Sequence, residues 1–125
     1  MSFTDHKLEG IGVRRVTMKK SGTIASTDVG KVCKSGSSAY EVAVGTADTR
    51  LRGLIDQVNG DDITIVEEGW VWLPYTGTAP TALAENKLEC GASGLAQVDA
   101  SNGRVLWVEK VDTTNTKALV FLRVA

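Results

Sequence analysis

The sequence predicts an all-β fold: a small β-barrel or β-sandwich of short antiparallel strands, with an extended N-terminal arm and little helix. Three observations carry this. Thirteen glycines and clusters of Ser, Asn and Asp punctuate the chain at short intervals. The runs between them alternate and are rich in β-branched residues. No stretch sustains the 3.6-residue period of an amphipathic helix. A chain of 125 residues suits one compact domain. We read residues 1–15 as the arm and residues 16–125 as a single barrel or sandwich domain.

The elements follow in order. Residues 1–12 have no sustained period and carry Gly10 and Gly12, which reads as extended chain. Val16 and Met18 alternate with Thr17 and Lys19 up to Ser21-Gly22. Residues 29–34 form a short apolar stretch closed by Ser35-Gly36. Tyr40, Val42 and Val44 alternate with Glu41 and Ala43 until Gly45. Residues 51–58 lead to Asn59-Gly60-Asp61-Asp62, where Asn and Gly tolerate positive φ, so this run and Ile63 to Val66 form a hairpin. Glu67-Glu68-Gly69 predicts the next break.

Trp70-Val71-Trp72-Leu73 is apolar on both faces, which suits a strand covered on both sides or lying at an interface. Residues 76–87 leave room for at most one short helical turn. Residues 88–90 and 95–98 read as strands around Gly91-Ala92-Ser93-Gly94. Residues 104–111 and 117–124 form a closing antiparallel hairpin.

Charge is distributed unevenly. Through Lys34 seven bases face three acids; beyond it seven bases face twelve acids, and the whole chain carries −1. A basic leading segment on an acidic body is either an accident of solvated side chains or a surface for an acidic partner, such as a second copy. The near-neutral total excludes a general polyanion binder. Cys33 and Cys90 have no CxxC spacing, and a single histidine, His6, accompanies them. They read as small buried core residues and not as metal ligands, with a disulfide left open. Residues 1–12 lack the apolar core of a signal peptide, and no run approaches the roughly 18 apolar residues that span a bilayer. The expectation is a soluble protein made in the cytoplasm, with no membrane partner.

Catalytic designs lack their parts. A Ser-His-Asp or Cys-His arrangement must use His6, which falls in the arm. GxSxG, HExxH and GxxxxGK[ST] do not occur. Glu67 and Glu68 point to opposite faces if extended, and Asp61 and Asp62 sit in a turn. The expectation is no enzyme, no cofactor and no metal. Nucleic-acid binding needs bases interleaved with stacking aromatics. Arg14, Arg15, Lys19 and Lys20 have only Phe3 near them, while the tryptophans lie beside Glu67, Glu68 and Glu109, so no nucleic-acid partner is expected.

Trp70 and Trp72 share one face of an extended strand. Two readings stand: core anchors, or the centre of an intersubunit contact, where aromatics are enriched. Trp107 is assigned to the core. Phe3, Arg14, Arg15, Trp70 and Trp72 are the candidate protein-contact residues.

From about Gly22 onward, the order of turns and runs resembles the capsid decoration (cement) proteins of tailed bacteriophages, a family of small β-barrels. The features are Gly30-Lys31-Val32, Tyr40-Glu41-Val42-Ala43, Arg52-Gly53-Leu54-Ile55, and Ile63 to Gly69 in the order ITIVEEG. An Ala/Thr/Pro-rich crossing follows, then Asn86-Lys87-Leu88 before a Gly-Ala-Ser-Gly turn, and Leu119-Val120-Phe121-Leu122 at the end. The pattern of spacing carries the resemblance over about four fifths of the chain; no one motif is specific to it. The tryptophan pair and the leading arm depart from it. The resemblance implies a structural virion protein on the capsid exterior. It would bridge and stabilise major capsid protein subunits, commonly as a homotrimer. The other reading is a different virion β module: a tail or baseplate piece, or a carbohydrate-binding domain, for which paired tryptophans are a sugar-stacking platform.

Overall fold

The computed structural model describes residues 12–123. Among them are nine strands: β1 (Arg14–Lys20), β2 (Val32–Ser35), β3 (Glu41–Val44), β4 (Gly53–Asn59), β5 (Asp62–Pro74), β6 (Ala84–Cys90), β7 (Ala96–Val98), β8 (Arg104–Asp112) and β9 (Lys117–Leu122). Among the described residues, helix is limited to single 3-10 turns at Ser26–Asp28 and Ala92–Gly94. The all-β expectation holds: five strands close into a barrel and the others extend outside it. In the barrel the order is β1-β3-β2-β4-β5, and antiparallel pairing of β1 with β5 closes the ring. The β1–β3 pairing is parallel.

The second half of β5 leaves the barrel and starts an antiparallel layer ordered β5-β9-β8-β6-β7. A bridge between Tyr75 and Ala96 brings the far edge of that layer back to the end of β5. The curl encloses a second core. Neighbouring residues on a strand point to opposite faces. On β2, Cys33 therefore enters the barrel core with Ile24, Val42, Ile55, Ile63 and Ile65. Val32 enters the second core, with Leu73, Leu88, Leu106, Val108 and Val120. β5 repeats the device, with Ile65 in one core and Val66 in the other. A wall apolar on both sides joins the two halves into one body.

The expected break at Glu67-Glu68-Gly69 is not a break, since β5 runs on through it. Arg15 pairs with Val66 and Arg14 with Glu68, so Glu67 is an extra residue accommodated as a bulge. Gly69, at φ +111°, lets β5 continue where a Cβ would lie 2.6 Å from the Val13 Cα. β1 begins at Arg14, two residues before the expected start of the domain at residue 16. Residues 1–11, with Phe3 and His6, lie outside the described residues.

Residues 76–87, which leave room for at most one short helical turn, hold none; β6 already starts at Ala84. The Asn86 side chain holds this crossing instead. Its Oδ1 accepts from the Thr81 amide at 2.8 Å, and its Nδ2 donates to the Thr81 and Ala84 carbonyls. Trp107 is not in the core: it is 37% exposed, because Leu106 and Val108 take the inward positions of β8.

The other turns follow the sequence. β4 and β5 form the hairpin, with Gly60 at φ +61° in its turn. β8 and β9 form the closing hairpin, where Asp112 Oδ1 accepts the amides of Thr114 and Asn115.

Candidate functional site

The outward side of the second layer is aromatic. On β5, Val71 and Leu73 point into the core, which turns Trp70 and Trp72 outward together. β9 lies beside them in register, with Trp70 opposite Phe121 and Trp72 opposite Leu119. Phe121 is in turn opposite Trp107 on β8. Trp70, Phe121 and Trp107 thus form one row across three strands. The Trp70 and Phe121 rings sit 5.1 Å apart at 48°, a tilted pair worth about 0.5–1.5 kcal/mol beyond simple burial. Trp107 Nε1–H donates to Glu109 Oε1 at 3.0 Å, which fixes the outer ring. Leu119 belongs to neither core cluster yet is only 6% exposed.

Phe121 remains 38% exposed and Val105, on the same side of β8, 37%. Scattered apolar residues are ordinary on a surface; a contiguous row of aromatics is less so. At one end the row meets a shallow depression of about 390 Å³, where Trp72 adjoins Asp112, Asn115 and Lys117.

The structure places Trp70 and Trp72 in this face and the predicted arginines elsewhere. Arg15 Nε bonds Asp56 Oδ2 at 2.8 Å, and Arg14 lies between Glu67 and Glu68 at 3.9 and 3.8 Å. Lys19, Lys20 and Lys31 pair with Asp62, Asp61 and Asp28. Much of the basic leading segment therefore faces acids of its own chain, mostly in solvent-exposed pairs that contribute little to stability.

Cys33 and Cys90 are buried and free. Cys90 Sγ lies 3.7 Å from the Cys33 carbonyl oxygen. Burial pushes the Cys33 thiol up to about 12, and burial also raises Cys90.

Asp48, Glu89 and Asp99 converge, with ligand-type oxygens within 4.8 Å of one another. Gln97 Nε2 donates to Asp48 Oδ1 at 3.1 Å and to Glu89 Oε2 at 2.9 Å. Glu89 is buried, and burial first, then its acidic neighbours, hold its carboxyl above the ordinary range. The Asn102 and Ser101 amides hold Asp99 below it. The hydrogen bonds shared through Gln97 tie the 46–49 loop to β6 and β7, and Asp99 Oδ1 accepts the Ser101 and Asn102 amides of the next turn.

Phe121 and Trp107 were absent from the predicted contact set. The signal for Trp107 was present in the alternation of Val105, Trp107 and Glu109 with Leu106 and Val108. The register that aligns these strands was not. No protein-family model, no curated protein and no solved structure significantly matches this chain.

Proposed function

We propose that this chain is a structural virion protein that binds the outside of an icosahedral phage capsid and bridges major capsid subunits, working as a homotrimer and performing no bond-making chemistry. The observation that carries the proposal is the outward row of Trp70, Phe121 and Trp107, with Trp72 and Leu119 beside it, on a layer welded to a closed barrel. A shell clamp needs a stiff body and a contact of this composition. Trp, Phe and neighbouring apolar groups release much water for little side-chain entropy when a partner covers them. The segment before β1 supplies a second contact, so that modest attachments add through effective concentration. The spacing resemblance to capsid decoration proteins supports the same reading.

The test is occupancy on undecorated heads. The wild-type chain should bind and raise the temperature at which heads open. The Trp70→Ala/Phe121→Ala variant should stay folded and lose occupancy, and deletion of residues 1–12 should weaken attachment without unfolding the body. Heads that open at the same temperature with and without the protein would contradict the proposal.

A second reading, a carbohydrate-binding virion module, is favoured by one feature: Trp72 adjoins Asp112, Asn115 and Lys117, an aromatic platform beside polar groups. Glycan-array binding lost in Trp72→Ala, with head occupancy unchanged, would favour it.

A further inference from the structure

At the junction of the two halves lies an open cleft of about 640 Å³, lined by Lys34, Arg50, Arg52 and Arg104, with Glu67 as the acid on its wall. That acid is already shared: Arg52 Nη2 donates to Glu67 Oε1 at 3.2 Å, and Arg14 lies 3.9 Å from Oε2. Lys34 Nζ donates to the Thr46 hydroxyl at 3.0 Å. Among the described residues, neither Lys34, Arg50 nor Arg104 has a carboxylate within ion-pair distance.

Arg104 is the unusual member. It is 8% exposed, and its guanidinium donates to the Leu51 carbonyl at 2.8 Å and to the Arg123 carbonyl. Carbonyl dipoles satisfy its N–H groups without cancelling its charge. A buried cation normally has a counter-ion, because removing a charge from water is expensive. Burial, then the nearby charges of Arg50 and Arg123, push this guanidinium below its ordinary value, with Glu67 opposing. It still stays protonated at neutral pH. Arg50 and Lys34 stand over this charge and add to it. On β1 the bases Arg14, Arg15, Lys19 and Lys20 meet acids; in this cleft bases accumulate.

We propose that this cleft is an anion site that receives the carboxylates of an acidic segment of a partner protein. Guanidinium groups match a carboxylate bidentately, and several of them in one cleft suit a run of acidic side chains. A nucleic-acid strand fits less well. Its bases need stacking aromatics, and none lines the cleft. The inference is independent of the capsid reading, since it concerns a different face and holds for any acidic partner.

The test uses the full chain and defined probes. Octaglutamate, octaglutamine, inorganic phosphate and an eight-base thymidine oligonucleotide are titrated at low salt and followed by NMR amide shifts. Octaglutamate should move amides of residues 34, 50–52 and 104, octaglutamine should not, and the affinity should fall as salt rises. Lys34→Ala/Arg50→Ala, whose side chains lie at the cleft rim, should weaken binding about tenfold or more with an unchanged melting temperature. Arg50→Lys should retain part of it. Shifts with phosphate alone, a tighter oligonucleotide, octaglutamate binding unaffected by the double substitution, or no shift at millimolar octaglutamate would each overturn the proposal.

Discussion

Trp70 on β5 and Phe121 on β9 stand directly opposite one another on the outer face of the second layer, ring centroids 5.1 Å apart. The pair joins the middle of the longest strand to the last one. It does so on the side away from the core, where an ordinary antiparallel sheet facing water carries polar residues.

Truncations on this face should cost less stability than truncations in either core. Phe121→Ala loses the tilted pair, about 0.5–1.5 kcal/mol, together with part of its burial. Ile55→Ala, in the barrel core with no exposure, should lose about 2–5 kcal/mol. Urea unfolding of the two variants measures the difference. A Phe121→Ala loss as large as that of Ile55→Ala would make the outer face a third core instead of a contact surface.

Gly69 and Gly60 both have positive φ, yet they should respond differently to alanine. Gly60, at +61° in open space, incurs only local strain of about 1 kcal/mol. Gly69, at +111°, also places its new Cβ against the Val13 backbone, which must move. Gly69→Ala should therefore destabilise by clearly more than Gly60→Ala, read as melting temperature. Equal losses would contradict the close approach that carries β5 from the barrel into the second layer.

The carboxylate cluster sets the direction of one pH effect. Glu89 is held above its ordinary value of 4.5, so its contribution to stability is complete below that value and is lost as the pH rises through the raised one. Asp99 is held low, so its contribution is present above its ordinary value of 3.8 and is lost as the pH falls. Glu89→Gln keeps a donor facing Asp99 and removes the ionisation. Its stability relative to the wild type should rise as the pH climbs from 4.5 toward neutrality. A relative stability that stays flat over this interval would show that Glu89 is ionised in the folded state.

Both thiols should be silent in the folded protein. Burial raises Cys33 to about 12 and raises Cys90, so burial disfavours both thiolates. A thiol reagent should label neither residue in native buffer and both in 6 M guanidinium, as read by intact mass. Rapid native labelling would contradict the burial.

Much of this architecture was legible because it is local. Asn59-Gly60 announced its hairpin, and Asp112 to Thr116 the closing one, since turn chemistry is written in adjacent residues. The run from Glu67 to Gly69 misled for the same reason. Its residue types predict a break, and only the pairing of Arg14 and Arg15 with β5 turns it into a bulge. Trp107 was misplaced because an alternating strand reveals two faces without revealing which one meets the core. The cleft was hidden because Lys34 on β2, Arg104 on β8 and the loop carrying Arg50 and Arg52 are separate in the sequence, and tertiary pairing alone brings the three together.

The central claim is that the aromatic face is a contact surface on a larger shell. The most direct measurement is an electron-microscopy map of the intact particle carrying this protein. The account predicts density for the chain on the capsid exterior, with Trp70, Trp107 and Phe121 covered by a neighbouring protein subunit. A map in which these rings face bulk solvent, or in which the chain is absent from the shell, would contradict it.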